Sequence, residues 1–272
     1  MSPQLIEMYG IVKLDFVIIG SEVESLDLSR MEDLMRAANA AGTVPIVKIK
    51  RPDPNLIADV MNIGAPMVMV PHITTAKQLE LMVRASRFEP EGLRGECPIA
   101  RYNGFGSLDL AKTHDAANRA HAIIPIIEDA DALDHLDEMM MVKDVDIYEV
   151  GPFDLSRSLG ENGQAYAGTK TMAALEKICA AAERHGKAVC APIWHTIKTD
   201  SYPGIYARQM DELISRGVNC LYEIETAFMA LHMTRLGLLR EVRTIEDEPA
   251  APPPRPKTNV KGPVAKQPAR KR

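Results

Sequence analysis

The sequence has no stretch near the roughly 18 uninterrupted apolar residues that a membrane-crossing helix requires, and its opening, MSPQLIEMYG, lacks the charged-then-apolar pattern of a secretion signal. A cytoplasmic protein that does not enter the membrane is expected. Cysteine is scarce. The four thiols, Cys97, Cys179, Cys190 and Cys220, never fall in a C-x-x-C pair, so neither a zinc site nor a disulfide framework is indicated. Aromatic residues make up 5% of the chain, with one Trp. No G-x-G-x-x-G opens a helix directly after a strand; the nearest approach, Asn103-Gly104-Phe105-Gly106-Ser107, lacks the third glycine, which argues against a dinucleotide fold.

The 272 residues are 46% apolar and 25% charged, enough to close one large core. The net charge of −5 divides unevenly. Residues 250–272 hold seven Lys or Arg, six Pro and no acid, and removing that +7 leaves −12 on residues 1–249. A body this acidic disfavours nucleic acid as a partner. The Pro-rich basic tail has almost nothing to bury and is expected to be disordered. The division expected is therefore one barrel domain over 1–248 and a tail over 249–272.

Short β-branched runs alternate with longer segments of helical period, the pattern of repeated βα units around a parallel sheet. Seven strands are predicted, over 16–20, 45–50, 66–71, 123–128, 146–151, 188–193 and 219–225. Helical periodicity fills 29–42, 55–64, 74–87, 108–121, 131–142, 169–186 and 206–217, followed by a long apolar helix, TAFMALHMTRLGLLREVRTIE, that needs a further surface to pack on. A (β/α)8 TIM barrel lacking its first strand fits better than a doubly wound sheet, and chemistry then belongs at the C-terminal strand ends.

At those ends stand Glu128, closing IIPIIE, and Asp154, in the next unit's GPFDLS. Two neighbouring carboxylates repel unless a proton or cation lies between them, and a hard divalent ion retaining its waters accepts such a pair. The other reading is that one of them caps the following helix.

IIPIIEDADALDHLDEM followed by VDIYEVGPFDLSRSLG resembles the metal-site segments of the class II pyruvate-dependent aldolases, the HpcH/HpaI aldolase/citrate lyase family that includes 4-hydroxy-2-oxoheptanedioate aldolase. LDFVIIGSEVESLD resembles that family's second strand. The stretch from PIVKIKRPDPN to the P-x-G-x-R-G loop, EPEGLRG, resembles its third and fourth units, and the likeness runs from about residue 2 to about 235. The resemblance implies a (β/α)8 barrel assembled as a homo-oligomer, a hexamer or trimer, through the C-terminal helix. It also implies Mg2+, Mn2+ or Co2+ held by Glu128 and Asp154. The amides of Phe153 and Asp154, beyond Gly151 and Pro152, would receive the carboxylate of a 2-oxo acid.

Three positions depart from the family's pattern. The second strand ends Gly20-Ser21-Glu22-Val23 where Asp-Gly-Glu-His is usual, so the family's proton-transferring Asp and His are replaced and Glu22 alone survives. Lys48 stands in place of an arginine that contacts the substrate's ketone oxygen; it keeps the charge without the planar fork. Ile126 replaces a glutamine. The family also places a strand ahead of the segment matching SPQLIEMYG. His72, after Pro71, is the candidate replacement base, with His195 behind it. Glu22 would order a metal-bound water, and Ile126, Phe153 and Trp194 would make an apolar substrate wall. Glu149 and Glu223 lie inside apolar strands and should meet cations, while Arg94 should fasten a loop.

The activity expected is a divalent-metal-dependent carbon–carbon lyase acting through an enolate on a small-molecule 2-oxo acid or related chelating acid. A decarboxylase, hydratase or cyclisation catalyst on the same site is the enzymic alternative. A non-catalytic oligomeric scaffold is the other.

Overall fold

A computed structural model of the chain describes residues 1–21, 26–193 and 202–223, the side chains of 202–206 excepted. Seven strands form one parallel sheet in sequence order: β1 Phe16–Gly20, β2 Val44–Lys48, β3 Met67–Val70, β4 Ala122–Ile127, β5 Ile147–Val150, β6 Ala188–Ile193 and β7 Cys220–Glu223. Each pairs only with its sequence neighbours, from Gly20 opposite Lys48 at one side to Ile193 opposite Glu223 at the other. The sheet is a curled half-barrel, and all seven predicted strands are present within a residue or two of their expected ends.

The connecting helices are α1 Pro3–Ile11, α2 Leu28–Ala41, α3 Pro54–Asn62, α4 Ala76–Ser86, α5 Leu110–Ala120, α6 Leu136–Met140, α7 Pro152–Ser158, α8 Thr169–Arg184 and α9 Tyr202–Ser215. Two were not anticipated, although both begin with a usable signal. In α1, Ser2 accepts from the Leu5 amide and Pro3 occupies the first turn. In α7, Pro152 follows Gly151 directly at the end of β5. α7 has too few turns for periodicity to register, and α1, although as long as α3, buries only Ile6 and so carries no apolar stripe. The 131–142 segment divides into a 3-10 turn over Ala130–Asp134 and the short α6.

The alternation of side chains along each strand builds two apolar layers. Val17, Ile19, Val47, Val68, Val70, Ile123, Ile127, Tyr148, Val150, Val189 and Ala191 face the helices and join the main core. Ile46, Met69, Ile124 and Ile126 face the concave side, flanked by Phe16, Ile18, Met67 and Ile147. Lys48 and Glu128 continue that inward phase to the C-terminal edge. No described helix is long and apolar enough to cross a membrane.

Candidate active site

Glu128 follows β4 directly and is 1% exposed. Its carboxylate lies across Gly151, where a Cβ would come within 2.5 Å of Glu128 Oε2, so the absence of a side chain at 151 creates the space. The amide of Gly151 donates to the Ile127 carbonyl at 3.2 Å, fixing that approach. Asp154 is the third residue of α7 and solvent-exposed. The residue at that helix's N-cap is Gly151, and Asp154 sits in the first turn, where the helix dipole favours an anion. Phe153 is half-buried and Pro152 buried in the same turn, whose leading amides point out of the helix end.

His72 stands at the end of β3, beyond Pro71. Its backbone amide donates to Glu128 Oε1 at 2.9 Å, and its Nδ1 lies 3.0 Å from Asp129 Oδ2 and 3.6 Å from Glu128 Oε1. Its φ of 54° puts a non-glycine residue in the left-handed region, a strained geometry held in place by these contacts. Partial burial lowers the imidazole pKa, but the Asp129 hydrogen bond and the charges of Glu128, Asp129 and Asp154 outweigh it and leave His72 raised above the ordinary value. Three carboxylates thus act on one imidazole. Asp129 was not singled out from the sequence; the Glu128-Asp129 doublet was the available signal. Its turn is tied down by Ala130, whose amide donates to Ser158 Oγ at 2.8 Å from the end of α7.

Lys48 ends β2 on the inward phase, half-buried, opposite Gly20. Ser21, just past β1, donates both its amide and its hydroxyl to the Lys48 carbonyl at 2.9 Å, so the loop that follows leaves from a fixed point. Ile126 is fully buried in the concave apolar layer and forms the floor beneath the carboxylates rather than an open wall. Glu22, Trp194 and His195 lie outside the described residues, as do the C-terminal helix and the tail.

One layer lower, Glu149 pairs with Ile126 across the β4–β5 ladder, 1% exposed. A phenol meets it, Tyr222 donating its hydroxyl to Glu149 Oε1, and burial and the carboxylate push the Tyr222 pKa well up. Arg94 belongs to the opposite end of the sheet. It donates to Asn62 Oδ1 through Nε and Nη2 at 3.2 and 3.0 Å, contacts His121 Nδ1 at 3.2 Å, and stacks on Phe88 and Tyr102 at 4.3 and 4.7 Å, as a loop-fastening residue should.

Glu128 and Asp154 fit a hard divalent cation in type and placement. They are oxygen donors at the C-terminal ends of adjacent units, Glu128 directly after β4 and Asp154 in the helix directly after β5, and an ion that keeps several waters needs only one or two carboxylates. Among the described residues no group of three or more His, Cys, Asp or Glu forms a closed cage. An open, two-carboxylate site of this kind leaves coordination positions for a guest.

A parallel βα sheet with an acidic cluster at its C-terminal edge is the arrangement of a TIM-like barrel. The chain belongs to the HpcH/HpaI aldolase/citrate lyase family, the match covering residues 1–210. It is 33% identical over 160 residues to the hydroxypyruvate/pyruvate aldolase of Roseobacter denitrificans, a match spanning 58% of this chain and 61% of that protein. It is 28% identical over 194 residues to the 5-keto-4-deoxy-D-glucarate aldolase of Escherichia coli strain K12, spanning 71% and 75%. Its fold superposes with a TM-score of 0.75 on the crystal structure of an HpcH/HpaI aldolase/citrate lyase family protein from Burkholderia cenocepacia J2315, at 27% identity and covering 87% and 89% of the two chains.

Proposed function

We propose that this chain is a divalent-metal-dependent carbon–carbon lyase of the aldolase type acting on a 2-oxo acid. The observation that carries the reading is the acidic cluster at the C-terminal edge of the sheet, where Glu128 and Asp129 both bind His72 and Asp154 opens the helix of the next unit. Glu128 and Asp154 hold Mg2+, Mn2+ or Co2+. When bound, such an ion polarises a chelated ketone and offsets the negative charge that develops as the C–C bond breaks.

The chain's own groups do the rest. The first turn of α7, through Phe153 and Asp154 behind Gly151 and Pro152, receives the substrate carboxylate. Lys48 places a positive charge toward the ketone oxygen, and Glu22 orders a water. His72 has Nδ1 committed to Asp129, which leaves Nε2 to exchange a proton with the substrate. With Nδ1–H donated to Asp129, Nε2 can take the proton of the hydroxyl and return it to the product carbanion. The aldolase names borne by the relatives support the reaction class. The working unit is a homo-oligomer.

The test is metal-dependent release of pyruvate or glyoxylate from a panel of 4-hydroxy-2-oxo acids. Glu128→Ala should lose more than the roughly 10–100-fold typical of changes outside the ligand shell, and calorimetry should show weakened Mn2+ binding. Equal activity in the variant overturns the assignment. Exchange of the C3 proton of a bound 2-oxo acid without cleavage assigns the site to non-aldol chemistry.

A further inference from the structure

The concave face of the sheet ends, at its N-terminal rim, in a chemistry unrelated to the acidic mouth. A cavity of about 220 Å3 lies there, bordered by Cys190, Cys220, Met67 and Met69, with Phe16 and Ile124 among its apolar walls. Cys190 and Cys220 are directly opposite each other in the β6–β7 ladder, and both point inward. Met67 and Met69, two apart on β3, present their side chains to the same space. Four sulfur atoms from three strands therefore face one small, mostly apolar chamber whose rim, at Asp15 and Val44, is exposed.

We propose that this cavity binds a soft monovalent d10 cation, copper(I), with the Cys190 and Cys220 sulfurs as its two ligands and Met67 or Met69 as an accessory thioether donor. Thiolate and thioether sulfur select this ion over the hard divalent cations suited to the mouth, so the two sites do not compete. A two-coordinate ion needs no cage, and two thiols in register on adjacent strands supply the pair without backbone rearrangement. Methionine, with three rotatable bonds, can close on a third position. The thiols are prepared for it. Cys190 and Cys220 lie opposite each other in the ladder, and their mutual contact lowers the pKa of Cys220 and raises that of Cys190. Binding is a ligand exchange with no change of oxidation state: one copper–sulfur bond forms per thiol, and each S–H that becomes a ligand releases its proton to solvent.

The experiment uses the full chain, reduced and kept anaerobic, titrated against the coloured copper(I)–bicinchoninate complex. One equivalent of copper should be withdrawn per chain. Cys190→Ser and Cys220→Ser should each abolish the withdrawal, Met67→Leu with Met69→Leu should weaken it about tenfold at unchanged stoichiometry, and Cys97→Ser with Cys179→Ser should leave it intact. A second measurement needs no variant: copper(I) should shield the half-buried Cys220 of the wild-type chain from iodoacetamide while Cys97 stays reactive. Failure of the wild type to withdraw copper, equal withdrawal by the Cys190→Ser chain, or alkylation of Cys220 unaffected by copper overturns the site. None of these outcomes touches the lyase reading, which rests on Mn2+ binding at Glu128 and Asp154.

Discussion

At position 151 one hydrogen atom in place of a methyl group decides whether Glu128 can occupy its present place. Gly151→Ala puts a Cβ 2.5 Å from Glu128 Oε2 and 2.8 Å from Glu128 Cβ, and the second contact is not relieved by turning the carboxylate. The outcome expected is a fall in kcat/KM of about 10–100-fold together with a lowered thermal midpoint, since Glu128 is 1% exposed and backbone must shift to make room. Steady-state kinetics and a melt on the same sample check it. His121 has the opposite relation to function, being remote from the mouth and important for stability. Burial, with the charges of Arg94 and Arg87 beside it, lowers its pKa to about 4, and Arg94 reaches its Nδ1 as a hydrogen-bond partner. The unfolded chain takes up a proton near pH 6.5 and the folded one resists until about 4, so stability is full above 6.5 and drains away as the pH falls between those values. The loss amounts to ~3 kcal/mol at most. Urea unfolding from pH 7.5 to 4.5 should show this slope, and His121→Asn should flatten it.

Elements in this chain are fastened by side chains that substitute for backbone ladders. Asn118, buried on α5, accepts from the Phe88 amide at 2.7 Å and donates to the Phe88 carbonyl at 3.1 Å, mimicking a strand partner for the segment leaving α4. Asn118→Ala strands the buried Phe88 amide, while the Phe88 carbonyl still accepts from the amides of Glu91 and Gly92; it should cost ~1–3 kcal/mol, read as a lowered urea midpoint with unchanged m-value. The same segment turns through Gly92, where a Cβ would fall on the carbonyl oxygens of Arg84 and Arg87, so the glycine of the P-x-G-x-R-G loop is a packing requirement. How far sequence reasoning reached follows from what each signal measures. Runs such as FVIIG and AVCAPI announced their strands because both faces of the sheet are covered, and inward and outward residues alike are apolar. That Glu128 and Asp154 stand at the ends of adjacent units followed from strand order alone. The Tyr222–Glu149 bond and the Asp129 contact with His72 did not, because which side chains meet across a curled sheet depends on register and twist, and neither is written in the periodicity of a single strand.

Over the whole molecule, large apolar side chains remain outside the core. Ile11, Val12, Ile99, Phe105 and Met141 are all more than three-fifths exposed. Light scattering on the purified chain should give three or six times its 30.0 kDa mass, and a value of one chain removes the oligomer from the proposal. The inward-facing residues, taken together, grade from sulfur and hydrocarbon at one end, through a buried carboxylate–phenol pair, to open acids and an imidazole at the other. The hydrocarbon between those ends is packed solid, with Met69, Ile124 and Ile126 at most 2% exposed. A guest at either rim cannot cross that layer to the other, so the two ends of the half-barrel are free to evolve under separate pressures.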